Sequence, residues 1–418
     1  MRLILKNCNY LGKEQRDIYI ADGKFSEKYP DDQADRIIDV KGALVTPGLI
    51  DMHVHLREPG LEYKEDIASG TRAAARGGFT GVCCMPNTDP VVDNPAIVAS
   101  IIKRAEEVGN CRVYPIGAAS KGLKGEELSE IGLMKEAGIV AVSDDGKPIS
   151  TAGFMRKVLE YCSDFDVPVL NHCEDKSLSG GAMNEGPVST SIGIRGIPSA
   201  SEDVMIARDI IIAEYLGLPV HLCHVSTKSG MRMIRDAKAR GVKVTCETCP
   251  HYFTLTDDYC VDYSANYKMH PPLGTREDVE AVIEAIIDGT VDTIVTDHAP
   301  HHQDEKEIEF SLALNGIVGL ESSFALCYTY LVKTGKITLD RLMDLMCHNP
   351  SDILKLGRGG MEIGDDADLA VFDIENEFTF DKNKMLTKGR NTPYDGWKLY
   401  GETLYTVMGG NITYEKLC

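Results

Sequence analysis

Basic residues are in short supply in this 418-residue chain: 44 lysines and arginines stand against 64 aspartates and glutamates, a formal charge of −20. Nucleic acid and anionic membrane are bound by a basic face that releases their counterions, so the deficit argues against both as partners. It also repels anionic small molecules at long range. An acidic substrate would need Arg, His or metal charge at the site itself to overcome that field. No secretory leader and no apolar stretch of bilayer-spanning length is visible, which predicts a cytoplasmic protein. Rossmann and Walker patterns are missing too; the glycine pairs Gly77-Gly78 and Gly359-Gly360 read as turns. Cysteine is plentiful at thirteen, but the number is odd and many lie in apolar runs such as Val82-Cys83-Cys84-Met85. These read as reduced core thiols, not a disulfide framework. The CxxC of Cys246 and Cys249 has no second pair at zinc-ribbon spacing and reads as buried small residues.

What is present is an ordinary folded composition, 43% hydrophobic and 26% charged, in a chain long enough for one large domain with a smaller one. Short apolar runs alternate with amphipathic helical patterns. Strands are predicted over Leu49 to Leu56, Gly81 to Met85, Arg112 to Gly117, Ile139 to Ser143, Pro168 to His172, Val220 to His224, Val242 to Glu247 and Thr293 to Asp297. Helical periodicity falls between them, at Ile67 to Arg76, Ile97 to Glu107, Gly153 to Cys162, Ser201 to Leu216 and Lys228 to Arg240. Eight such units predict an α/β fold of the TIM (β/α)8 barrel type, with the active site at the C-terminal ends of the strands. Both chain ends read as short strands and turns, neither long enough to close a good core alone. The expected organisation is therefore residues 1–45 and 355–418 pairing as one small β-sandwich domain beside a barrel of residues 46–354.

The polar residues fall where the barrel reading wants them. His53 and His55 are two apart at the end of the first strand, so both imidazoles share a face and can reach one metal ion. Asp144 and Asp145 end strand four, His172 strand five, His224 strand six and Asp297 strand eight. Each has an ordinary explanation alone: a core histidine for His172 or His224, a polar loop or helix cap for Asp297. Of His221 and His224, the latter lies nearer the strand end and is the better ligand. A doubly wound sheet would give no reason for ligands on five strands to converge. The set exceeds the needs of one tetrahedral centre that keeps a water, so two adjacent zinc-like ions are the simpler account. His53, His55 and Asp297 would hold one and His172 and His224 the other, with a carboxylate from strand four between them. Spacing does not separate Asp144 from Asp145 for that place. Hydroxide held between two metals is a good nucleophile at neutral pH, which implies hydrolysis.

These residues carry a resemblance. The stretch PGLIDMHVHLREPG, then Met85-Pro86-Asn87-Thr88, Ser143-Asp144-Asp145-Gly146, His172-Cys173-Glu174-Asp175, His224-Val225-Ser226-Thr227 and Thr296-Asp297-His298-Ala299-Pro300-His301 resemble the amidohydrolase superfamily, and within it the bacterial class I dihydroorotases. The resemblance implies His53 and His55 on a first zinc ion, His172 and His224 on a second, Asp145 bridging, and Asp297 as first-metal ligand and general acid and base. It implies substrate contacts at His55, Arg57, Asn87, His270, His301, Asn315 and Gly316. The reaction implied is reversible cyclisation of N-carbamoyl-L-aspartate to L-dihydroorotate and water, in pyrimidine (UMP) biosynthesis, with metal-bridged hydroxide as the nucleophile of the reverse step. Arg57 offers a bidentate fork to the substrate carboxylate; for an isolated arginine a surface salt bridge would be the ordinary reading.

Two positions depart from the pattern: His270 stands where the family commonly has Asn, and Asn315 where an aromatic precedes the Gly. Competing expectations are another cyclic-amide hydrolase (allantoinase, hydantoinase or dihydropyrimidinase) or a noncatalytic scaffold subunit. The former usually bridge their metals with a strand-four lysine, and the latter typically lack the ligands. The resemblance leaves room for a homodimer and for association with a carbamoyltransferase. The charged stretch Asp304 to Glu309 reads as a solvated loop, with a mobile cover as the alternative.

Overall fold

Eight short parallel strands form the centre of the molecule: β1 (Leu49–Val54), β2 (Phe79–Cys84), β3 (Arg112–Ala118), β4 (Ala141–Ser143), β5 (Leu170–Asn171), β6 (Val220–Leu222), β7 (Val244–Thr248) and β8 (Thr293–Ile294). The computed structural model describes residues 1–416. Strands β1 to β4 pair in order, as do β5 to β8. Single parallel bridges join the halves, Val142 to Val169 and Val54 to His298. At these seams the Val142 N–H donates to Pro168 O (3.0 Å) and the His55 N–H to His298 O (2.9 Å), so the ring closes. Every residue of β1 and β2 is buried, as expected for strands with a packed interior on one face and helices on the other.

The helices start where capping chemistry permits. In α1 (Ile67–Arg76) the Asp66 carboxylate accepts from the Ser69 N–H, while Ser69 Oγ accepts from the Asp66 N–H. Asn94 caps α2 (Pro95–Val108), whose proline sits in the first turn where its missing N–H costs nothing. The further layer contains α3 (Ile131–Ala137), α4 (Ala152–Asp164), α5 (Ala200–Leu216), α6 (Lys228–Ala239) and α7 (Arg276–Asp288). Thr151, Thr227 and Thr275 cap α4, α6 and α7. One continuous apolar core binds strands to helices. The described cysteines are all buried and unpaired, as the apolar runs around them imply.

The chain ends do meet. Strand Leu44–Pro47, just before β1, pairs antiparallel with Leu369–Asp373. The terminal strands make a single eight-stranded mixed sheet around a second core that includes Leu3, Ile20, Val45, Leu369 and Val407. The sheet is anchored to the barrel by the Arg112–Asp368 ion pair and by Phe372, stacked on Phe324 with ring centroids 3.6 Å apart. Gly78, in the turn before β2, has φ +87°, and a Cβ there would lie 2.5 Å from the Phe372 ring. This turn therefore requires glycine for its conformation and for the close approach.

Candidate metal centre

The strand ends bring the expected side chains together around one carboxylate. Oδ1 of Asp145 lies 3.4 Å from His53 Nε2, 3.5 Å from His224 Nε2 and 3.7 Å from His172 Nδ1, while Oδ2 lies 3.4 Å from His55 Nε2. Asp297 Oδ1 is 3.1 Å from His55 Nε2 and 3.6 Å from His53 Nε2. Asp144 turns away: its carboxylate accepts from the Ser120 N–H (2.9 Å) and Oγ–H (2.5 Å). Geometry thus separates two neighbours that spacing left equivalent.

Burial would raise a carboxylate pKa, yet the neighbouring rings of His53 and His224 hold Asp145 well below its usual range. Asp297 is likewise brought down to about 2 against burial, chiefly by His55 and His53. For His53 burial works downward, but Asp145 and Glu247 lift it well above an ordinary imidazole. The cluster is nevertheless unfinished: His53 Nε2 and Asp145 Oδ1 are buried and face each other without a hydrogen bond. Buried polar atoms are seldom left so, and neutral imidazoles with carboxylates are the donor set of a zinc-like divalent ion. Two groups with ligand atoms mutually within 4.8 Å, His53–His55–Asp297 and His53–Asp145–His224, fit such ions; two more comprise His172, Glu174 and His270, and His53, Cys223 and Glu247. His224 and Asp297 adopt φ of 36° and 46°, as does Arg57 at 63°. Such left-handed conformations are costly for non-glycine residues and concentrate at functional sites.

Outer partners orient the inner ones. Glu247, fully buried on β7, places Oε1 2.5 Å from His53 Nδ1 and Oε2 3.1 Å from His221 Nε2. His221 Nδ1 reaches Thr245 Oγ1 at 2.8 Å. Sequence reading missed Glu247 as more than the end of a strand; a carboxylate in an otherwise uncharged buried strand was the available signal. It also missed Glu174, which lies 3.3 Å from His172 Nε2 and 2.8 Å from His270 Nε2.

A cavity of about 500 Å³ opens over the cluster, lined also by Arg57, Asn87, His270, His301, Asn315 and Gly316. All the expected substrate contacts therefore border one space. Arg57 is 8% exposed and donates through Nε to Pro300 O (3.2 Å), with no ion pair among the described residues. The surface-salt-bridge reading does not apply to it. Asn87 Oδ1 accepts from His55 Nδ1–H (2.9 Å), and His301 Nε2–H donates to Asn315 O (2.7 Å). No described helix is long and apolar enough to cross a membrane.

Comparison with known proteins places this geometry in a family. The dihydro-orotase-like family model matches residues 42–230. The dihydroorotase of Acetivibrio thermocellus is 55% identical over 95% of this chain and 94% of its own length. That of Ruminiclostridium cellulolyticum is 50% identical over 100% of this chain and 99% of its own. Among solved structures, the L-hydantoinase (dihydropyrimidinase) from Arthrobacter aurescens superposes with a TM-score of 0.89 at 25% identity, covering 99% of this chain and 96% of its own. Dihydropyrimidinase from Brevibacillus agri, at 21% identity and a TM-score of 0.85 over 99% of this chain and 95% of its own, shares the fold. Near-full-length identity to the dihydroorotases, on a barrel whose polar strand ends converge on Asp145, establishes that this chain belongs to the dihydroorotase family of the amidohydrolase superfamily.

Proposed function

We propose that this protein is a dihydroorotase, interconverting N-carbamoyl-L-aspartate and L-dihydroorotate with water as the other product of cyclisation. One observation carries the choice over neutral-ring hydrolases: the cavity above the Asp145 cluster contains a buried arginine, Arg57, with no carboxylate partner of its own. A guanidinium in that state is a receptor for an anion.

His53, His55 and Asp297 would hold one zinc-class ion, His172 and His224 a second, with Asp145 between them. When bound, such ions supply Lewis acidity and lower the pKa of a water. The chain's own groups do the rest. Asp297, ionised at neutral pH, accepts a proton at its carboxylate as water adds to the ring amide carbonyl. The C–N bond then breaks, and Asp297 returns the proton to the departing ring nitrogen. Cyclisation follows the same steps in reverse. Arg57 binds the substrate carboxylate beside His301, whose Nε2–H is held by Asn315 O, and Asn87 orients the His55 ring. His270, tied to Glu174, borders the same space and supplies a ring nitrogen where relatives commonly present an amide.

The test is turnover by zinc-loaded protein of L-dihydroorotate beside dihydrouracil, hydantoin and allantoin, before and after metal removal and restoration. Metal-dependent turnover confined to dihydroorotate is expected. Turnover of only a neutral ring would transfer the assignment to the sister hydrolases.

A further inference from the structure

The stretch Asp304 to Glu309 is not solvated throughout. Lys306 is 7% exposed, and its Nζ donates to Leu314 O (2.8 Å), Gly316 O (3.0 Å) and Lys268 O (3.3 Å). An ammonium has three protons, and these three carbonyls use them all. Lys268, 5% exposed, donates to Ser311 O (2.9 Å) and Ala313 O (2.7 Å). Between these contacts, Asn315 O accepts from His301 Nε2–H at 2.7 Å. Five carbonyls between Ser311 and Gly316 are thus held by side chains from outside that segment. Burying two neighbouring ammonium groups is expensive: burial, with Lys268 nearby, brings Lys306 down to about 7. Packing alone does not call for that arrangement, since an apolar side chain of similar volume would fill the same space.

The cost falls beside the cavity. Leu314, Asn315 and Gly316 line it, whereas Ser311 and Ala313 do not. Gly316 has φ +133°, and a Cβ there would lie 2.7 Å from Ala299 Cβ, so this wall is closely packed against Ala299. We propose that Lys306 is a positioning residue for the acidic substrate. By holding the carbonyls of Leu314 and Gly316 it fixes the Asn315-Gly316 wall and, through Asn315 O, the ring of His301, which lines the same cavity as Arg57. This inference rests on the dihydroorotase reading and adds to it a residue outside the substrate contacts.

Lys306→Met keeps most of the side-chain volume and removes every donor. The expected result is KM for L-dihydroorotate raised about tenfold or more, kcat within about threefold of wild type and zinc content unchanged. Lys268→Met, which frees only carbonyls away from the cavity, should keep KM within about twofold even if the protein melts earlier. A folded Lys306→Met protein with wild-type KM, or one losing kcat at unchanged KM, would overturn the proposal. If that variant does not fold, hydrogen exchange on the wild-type protein decides. Amides of residues 312–316 should already exchange slowly without substrate; fast exchange slowed only by saturating L-dihydroorotate would refute a pre-set wall. Absence of dihydroorotate turnover in zinc-loaded wild type would defeat the functional reading instead, while the exchange result would still judge the clamp.

Discussion

The two sides of the cavity solve opposite problems. Around Asp145, imidazoles and carboxylates crowd together yet leave His53 Nε2 and Asp145 Oδ1 without hydrogen-bond partners. Around Lys306, by contrast, buried ammonium protons all end on backbone carbonyls. The first side leaves buried polar atoms unpaired where a cation would fit; on the second, every Lys306 proton has its carbonyl before any ligand arrives. On the proposed reading, a chain of charge −20 builds its attraction for an acidic substrate locally, with metal-ligating groups on one wall and held-in-place cations and donors on the other.

The sharpest way to break the comparison is at its unfinished side. Chelation should abolish turnover and zinc should restore it; activity surviving complete metal removal, measured alongside metal content, would remove the reason for the Asp145 cluster. Asp297→Asn should keep the fold and lower kcat by about 10²- to 10⁴-fold, because an amide cannot carry the proton. Near wild-type steady-state rates would transfer that role elsewhere. Arg57→Ala removes a charged hydrogen-bonding group worth about 1.5–3 kcal/mol, so kcat/KM for dihydroorotate should fall roughly 10- to 150-fold, mostly through KM. Unchanged apparent affinity would reject Arg57 as the carboxylate receptor. Glu247→Gln, which removes the carboxylate behind His53 and His221, should weaken zinc binding by about 10- to 100-fold in a competition titration. Equal affinity there would mean that Glu247 serves the barrel interior and not the metal.

Much of this was legible in advance. The eight strands could be read because fully buried parallel strands leave short apolar runs, and β1 to β8 all fall within or beside the predicted ones. His53, His55, His172, His224 and Asp297 could be read because each ends such a run. Asp144 and Asp145 could not be told apart by spacing, since the distinction rests on Ser120, more than twenty residues earlier in the chain, capturing one carboxylate. Glu247 and Glu174 escaped because their role is to hold another side chain, and the pairing with His53 crosses nearly two hundred residues. Lys306 was hidden for a related reason. Its partners are backbone carbonyls, which every residue possesses and no sequence pattern marks. At the chain ends the paired strands were readable, but their joining into a single sheet depends on the Leu44–Pro47 register with Leu369–Asp373.

The most direct test of the account is anomalous diffraction at the zinc edge from crystals of zinc-loaded protein. Two peaks should flank the Asp145 carboxylate, one beside His53, His55 and Asp297 and the other beside His172 and His224. No peak in this cluster, or zinc bound only away from Asp145, would contradict it.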